Sequence, residues 1–459
     1  MCAAVFLSLK NTPLAYITPY SYERINILHK TAGMMTTFWV VAHPLVWLGT
    51  FASSNSLSAF RQQEQIYGAI AGVSFLILGP VAAMFRLVSY ELFYVTHVTF
   101  IALAIIMTAL HRPEFAYKTI IVTIVTGSLW AADKLFRWTR FLLYSVNNTA
   151  TLTPLPNGGT RVELAKTPIG AAPGKHIFLW IPGVRSLQMH PFSIISTHPL
   201  ELVINSYSGF TKALHKKARE NPGIVLRASM EGPYGKFPDP LDYDKIVLIA
   251  GGSGGSFTFG LAVNALERMT AESRQEIEFV WAVRETGESR PRRVLSTASL
   301  SDAAMTNTLR VPPDHLSWYQ DHLKTLLTHE HAPKVKTSLH ITQGDPEKPP
   351  TWESTPVASA LSSRTSVDYM SRLTVGEVDD EKRPTAGRTA SSASSVLLAG
   401  RPDVAAQIRD AVRTTPKDKR ILVAACGPNA LMTVVRNTTA SCIEADGPSI
   451  EMHLEQFGW

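Results

Sequence analysis

Long apolar runs fill the first third of the chain, and short alternating ones follow. Windows 33–51, 66–85, 89–111 and 119–132 are almost free of charge. They reach or approach the about 20 helical residues that cross a hydrocarbon core, and so predict four membrane-spanning helices, the last the shortest. From about residue 146 the pattern changes. Runs such as TRVELA (160–165) and HIFLWI (176–181) are separated by Asn157-Gly158-Gly159 and Pro173-Gly174. This is the signature of a small antiparallel β-barrel, which we place up to about residue 240. KIVLIA (245–250) is then continuously apolar and leads through a glycine cluster into the helical pattern FGLAVNALERM. With IEFVWAVR and RILVAACG as further buried parallel strands, it predicts an α/β nucleotide-binding half.

Three regions follow: helical 1–140, β-barrel 146–240, and α/β 241–459. Within the last, residues 288–398 are rich in Ser, Thr, Pro and charge, as in ESTPVASALSSRTS and RTASSASS. Such a stretch is expected to be a disordered insertion between two strands.

The formal charge of +7 does not make a nucleic-acid groove, because the basic residues are scattered and no stripe interleaves them with aromatics. Their placement fits a lipid bilayer better. Arg24, Lys30, Arg86, Lys134, Arg137 and Arg140 flank one side of the spans, against Arg61, Arg112 and Lys118 on the other. The positive-inside rule then puts the chain after residue 140 in the cytosol. Only Cys2, Cys426 and Cys442 occur, without metal-ligand or redox spacing, which supports neither a disulfide framework nor an iron–sulfur cluster. Residues 1–9, followed by Lys10 and Pro13, are too short to cross a membrane and do not read as a signal peptide.

Histidines carry the first chemical signal. His29 and His43 are 14 positions apart on the first full helix, and His97 and His111 are 14 apart on the third. At about 100° and 1.5 Å per residue, that interval returns to within about 40° of one face after roughly 21 Å. Each helix therefore offers two inward ligands near opposite membrane faces. Both helices run outward, so His29 is expected to pair with His97 near the cytosol and His43 with His111 on the far side. Two imidazoles on one iron leave no open position for substrate, which suits a haem that carries electrons.

The segments SYERINILHKTAG, RLVSYELFYVTH, HPFSI, GFTKAL, EGPYG, GGSGG, CGP and EQFGW occur in this order. Together they resemble the fungal ferric-chelate reductase family, relatives of the NADPH oxidases, over nearly the whole chain apart from the insertion. The resemblance implies a haem-binding helical bundle followed by a ferredoxin-NADP reductase-like module, with FAD, NADPH and two haem b as cofactors. It places His190, Pro191, Phe192 and Ser193 at the flavin ring; the family has Thr where Ser193 keeps the hydroxyl. Gly209, Phe210 and Thr211 would approach the FAD pyrophosphate, and the Gly232-Pro233 turn would lie near the cofactor. Gly251, Gly252, Ser253, Gly254 and Gly255, between a strand and a helix, suit a dinucleotide pyrophosphate. Cys426, Gly427 and Pro428 would lie beside the nicotinamide. Arg284 would meet a 2′-phosphate, while Phe457 and Trp459 would cover the flavin and move aside for hydride transfer.

The implied activity is reduction of ferric or cupric chelates outside a plasma membrane. Two other readings stand beside it: an oxidase making superoxide, and a non-catalytic membrane protein whose Ser/Thr-rich insertion recruits partners. The family has further N-terminal helices, so here four spans are expected to enclose two haems, as a truncated sequence or a bundle with part of its wall lost.

Overall fold

The computed structural model describes residues 1–18, 20–88, 90–285, 314–343, 373–375 and 395–455. The chain divides into two compact units, Met1–Arg140 and Phe141–Trp459.

The first unit is helical: α1 (Cys2–Ser8), α2 (Leu14–Ile17), α3 (Tyr22–Ser53), α4 (Gln63–Val88), α5 (Tyr90–His111) and α6 (Tyr117–Leu143), whose last turn enters the second unit. The last four are long and apolar enough to cross a membrane. Their large apolar side chains, among them Phe38, Trp39, Val46 and Ile124, point outward. In water that arrangement would be costly, whereas in lipid it is the expected one. α6 outruns its apolar window because the first charges there are partnered. Asp133 accepts from the backbone N–H (3.0 Å) and side-chain amide (2.9 Å) of Asn11, and Arg137 lies 3.9 Å away one turn on. α1 packs on α3 and α4 on α5. Phe75, Leu78 and the fully buried Ala104 form a small core, against which Val40 and Phe100 pack.

The second unit opens with antiparallel strands: β1 (Thr149–Pro154), β2 (Gly159–Leu164), β3 (His176–Trp180), β4 (His190–Ser193), β5 (Ser196–Thr197), β6 (Leu200–Asn205), β7 (Ile224–Arg227) and β8 (Ser229–Tyr234). They form sheets of order β5-β6-β2-β1-β7 and β4-β3-β8. The helix α7 (Gly209–Glu220) contributes Phe210, Leu214 and Ala218 to their common core.

A parallel sheet follows, built from β9 (Lys245–Gly251), α8 (Gly255–Arg268), β10 (Glu276–Glu285), α9 (Asp314–Trp318), α10 (Gln320–Thr328), β11 (Val335–Gln343), β12 (Leu373–Val375), β13 (Ser395–Ala399), α11 (Val404–Thr414), β14 (Arg420–Cys426), α12 (Asn429–Ser441) and β15 (Ser449–Glu455). Its order is β12-β13-β11-β10-β9-β14-β15. The chain enters at β9, builds outward through β10 and β11, then returns to β9's other side with β14. Ligands bind at such a reversal, beyond the carboxyl ends of the strands.

The expected disordered insertion over 288–398 needs correction. Within it, β11 pairs with β10 from Ile277↔Val335 to Glu285↔Gln343, inside the sheet rather than outside it. α9 and α10 bury Trp318, Tyr319, Leu323, Leu326 and Leu327 in the main core. A composition averaged over the whole stretch hides these local patterns: LSWYQDHLKTLL repeats its apolar positions at helical spacing. The rest of the stretch, apart from β12 and the start of β13, lies outside the described residues.

Candidate functional site

In the helical unit the four histidines meet in two pairs. The ring centres of His29 and His97 are 6.3 Å apart at 76°, and those of His43 and His111 are 6.1 Å apart at 85°. With metal–nitrogen bonds of about 2 Å on each side, an ion between two imidazoles separates their centres by roughly 6 Å. Hydrogen bonds orient one ring of each pair. His29 Nδ1 lies 2.7 Å from the Ala4 carbonyl and His111 Nδ1 lies 2.8 Å from the Glu64 carbonyl. Since a carbonyl only accepts, Nδ1 carries the proton and Nε2 keeps its lone pair, as a metal ligand requires. Among the described residues no group of three or more His, Cys, Asp or Glu could hold a metal ion. A porphyrin supplies four of iron's six bonds, so a pair suffices.

The His111 ring rests against Gly68 of α4, where an added Cβ would lie 2.6 Å from ring atoms. Gly68→Ala is therefore expected to turn the ring, and to lower metal retention at the His43/His111 pair by about 10-fold or more while sparing the other pair. Haem content and the spectrum of the purified variant check this.

In the β region, HPFS forms β4 and pairs with β3 as Leu179↔His190, Phe178↔Pro191, Ile177↔Phe192 and His176↔Ser193. Phe210 brings the next motif to it, lying 5.0 Å from the His190 ring and 6.2 Å from Phe192. Gly209 takes φ +56° at the start of α7, a conformation open to glycine at little cost. The Thr211 hydroxyl accepts from Tyr207 N (3.0 Å) and donates to Ser208 O (3.1 Å). Its proton is thus directed at a carbonyl of the preceding turn. Gly232 and Pro233 lie within β8, where the register with β3 shifts, and not in a plain turn.

On the parallel sheet the two glycine motifs press together at the carboxyl ends of neighbouring strands, paired as Cys426↔Ala250. A Cβ on Gly254 would lie 2.2 Å from the Cys426 carbonyl oxygen, one on Gly251 2.8 Å from Pro428, and one on Gly427 3.1 Å from Gly251 N. Gly252 has φ +56°, and Gly255 begins α8. Burial pushes the Cys426 thiol up to about 12, helped by the Glu455 carboxylate, so it stays neutral and cannot act as a thiolate at pH 7. Arg284 is exposed near the end of β10, while Phe457 and Trp459 lie outside the described residues.

Residues that the sequence reading passed over hold this loop. Trp281 Nε1 donates to the Gly252 carbonyl (3.0 Å), and the buried Tyr319 hydroxyl donates to the Ser253 carbonyl (3.3 Å). Next to them, Glu201 of β6 lies 2.9 Å from Arg161 and 3.4 Å from His322, both nearly buried. Trp318 Nε1 donates to the Pro156 carbonyl (2.8 Å). The α9–α10 segment thus clamps the β-barrel strands to the parallel sheet. Removing Glu201 would take the carboxylate from Arg161 Nε and leave the guanidinium only the exposed Asp321 (3.2 Å) and the Trp318 carbonyl (3.3 Å). Glu201→Ala is expected to destabilise this unit by about 2–3 kcal/mol, and Glu201→Gln by less. Thermal unfolding of the full chain in detergent, followed by tryptophan fluorescence, measures the difference.

Three family descriptions match the chain in sequence: "Ferric reductase like transmembrane component" over 1–108, "FAD-binding domain" over 146–237 and "Ferric reductase NAD binding domain" over 308–440. Ferric reductase domains thus match towards both ends of the chain. Similar proteins include the probable cell surface ferric reductase kap2 of Aspergillus oryzae, 27% identical over 61% of this chain and 41% of its own length. Ferric reductase transmembrane component 3 of Saccharomyces cerevisiae is 27% identical over 60% of this chain and 40% of its own. A probable ferric reductase transmembrane component of Candida albicans is 19% identical over 98% and 62%. The chain therefore spans about two fifths of the length of these first two relatives. Among solved structures, the ferredoxin reductase in carbazole 1,9a-dioxygenase superposes with a TM-score of 0.40 at 13% identity, covering 68% of this chain and 69% of that one. The last family match starts inside the stretch expected to be disordered, in keeping with the α9–β11 fold.

Proposed function

We propose that this chain takes electrons from cytosolic NADPH and, with FAD and two b-type haems, passes them across the plasma membrane to reduce ferric or cupric chelates outside. The observation that carries this reading is the pair of histidine couples. Each has the separation that an intervening iron requires, and each has one ring turned by a backbone carbonyl so that Nε2 is free to bind. Bound flavin supplies the conversion of a two-electron hydride donor into single-electron steps, and bound haem supplies the one-electron carrier.

The chain's own residues hold and orient. His29 with His97 would hold the inner haem, and His43 with His111 the outer one. The β4 edge from His190 to Ser193 and the α7 start at Gly209–Thr211 would hold FAD, with Gly232-Pro233 nearby. The Gly251–Gly255 turn would receive the NADPH pyrophosphate through its N–H groups, and Arg284 the 2′-phosphate. Gly427 and Pro428 would keep the nicotinamide side of the cleft narrow, and the neutral thiol of Cys426 would pack there. Phe457 and Trp459 would cover the flavin.

The test is expression in membranes of a haem-replete host, with reduced-minus-oxidised spectra after NADPH addition and a ferrous-iron chelator assay. A haem b signal, with ferrous iron formed independently of oxygen and unaffected by superoxide dismutase, is expected. Iron reduced only through superoxide would replace the reductase by an oxidase, and absence of haem would refute the histidine assignment.

A further inference from the structure

We propose that two loops of the β-barrel, with tips at Ile169 and Leu187, insert into the lipid headgroup region beside the exit of α6 and seat the barrel on the membrane surface. Both tips are aliphatic and almost completely exposed, at 91% and 94%. Leu142, Leu143 and Val146, on the segment that leaves α6, are exposed as well. Isolated exposed aliphatics need no explanation, but several around one chain segment do.

Hydrogen bonds tie each loop to that segment. Ile169 N donates to the Tyr144 hydroxyl (2.9 Å), and Lys166 N donates to Asn148 Oδ1 (3.1 Å). On the other side Trp180 Nε1 donates to the Ser186 carbonyl (2.8 Å), while its ring meets Phe141 at 5.2 Å. Ser229 Oγ donates to the Phe141 carbonyl (2.7 Å). The tips are therefore fixed relative to residues 141–148, which continue directly from a helix able to span the membrane. That continuity limits how far from the lipid surface they can lie.

The Ile169 loop is built to project. Ala171 N donates to the Pro168 carbonyl (2.9 Å), Gly170 takes φ +78°, and Lys175 Nζ donates to the Gly170 carbonyl (2.7 Å). This is a type II turn with isoleucine at its first corner and glycine where φ must be positive. A soluble loop would carry a polar residue there at no cost. Charge points to the same partner: segments 141–148, 165–175 and 181–189 contain Lys166, Lys175 and Arg185 and no Asp or Glu. Apolar tips flanked by cations match an anionic leaflet, where aliphatic groups enter the acyl boundary and basic groups meet phosphates.

The proposal rests on α6 crossing the membrane. Its test uses the full chain with Cys2→Ser and Cys442→Ser, the buried Cys426 being left in place, in nanodiscs of phosphatidylcholine and phosphatidylserine. An environment-sensitive fluorophore is attached at Ile169→Cys, Leu187→Cys, Ile443→Cys on the α/β half, or Ile124→Cys within α6. Lipids carrying a quencher on the acyl chain are expected to cut emission at 169, 187 and 124 by more than about half, as burial of about 5–10 Å implies, and to leave 443 unchanged. Tips open to a water-soluble quencher as fully as 443 would overturn the proposal. So would tips shielded from both quenchers, which would mean they dock on protein. An unquenched probe at 124 would show instead that the helical unit is not embedded, which removes the premise and separates that failure from the other two.

Discussion

Replacing His97 by alanine is expected to halve the haem bound per purified chain, and His111→Ala to do the same at the other pair. In the proposed assignment each pair would hold its iron through one imidazole from α3 and one from α5, whose rings are 6.3 and 6.1 Å apart. Losing a direct ligand exceeds the about 10–100-fold in metal affinity that loss of a ligand's hydrogen-bond partner costs. Because the pairs lie 14 residues apart on both helices, each variant leaves the other couple intact. Along the proposed route both haems would stand in series, so transmembrane ferric reduction is expected to fall more than about 100-fold in either variant. NADPH-driven reduction of a soluble dye, which needs only the flavin, would persist. A double variant that retained both haems would refute the ligand assignment.

Gly254→Ala is the second large effect. The new Cβ would meet the Cys426 carbonyl oxygen at 2.2 Å and its carbon at 2.7 Å, and these are backbone atoms that no rotamer change can move. β9 and β14 would have to separate at the carboxyl end, at about 3 kcal/mol or more, and the turn proposed to receive the pyrophosphate would open. NADPH-dependent flavin reduction is expected to fall more than about 100-fold, while dithionite still reduces the haems; about 2.7 kcal/mol of lost binding at the reacting geometry suffices for that. Gly252→Ala tests the contrast. Its nearest atom is 4.0 Å away, so only the positive φ opposes the side chain, and a loss of about 1–2 kcal/mol is expected. Flavin absorbance after NADPH addition distinguishes the two.

The histidine pairing was legible because it follows from helix arithmetic: equal 14-residue intervals on two helices running the same way bring equivalent rings together without any knowledge of side-chain packing. The strands of the parallel sheet were equally plain wherever a run such as KIVLIA was wholly apolar. α9, α10 and β11 were not, since their apolar positions sit among Ser, Thr and charge, and the composition of the surrounding stretch outweighed their local periodicity. Glycines around Ser253 could be read as a phosphate-binding turn, but half of their purpose was hidden. Gly251 and Gly254 are small because Pro428 and the Cys426 carbonyl approach them, a contact between segments about 170 residues apart that only the fold reveals. The same holds for Arg161, Glu201 and His322, which share no local pattern and meet through strand order and the α10 helix.

Ala104, Phe100, Phe75 and Val40 pack together, with Phe100 and Ala104 between His97 and His111 along α5 and Val40 between His29 and His43 along α3. Fourteen helical residues span about 21 Å of a hydrocarbon core about 30 Å thick. Along the proposed route, an electron passing between the couples therefore traverses some two thirds of the membrane's electric field. A full crossing of one elementary charge changes energy by about 2.3 kcal/mol per 100 mV, so each electron leaving an inside-negative cell would gain roughly 1.5 kcal/mol. Metal reduction by that route would be electrogenic: it would draw on the resting potential as well as on the nucleotide, and slow when the membrane is depolarised.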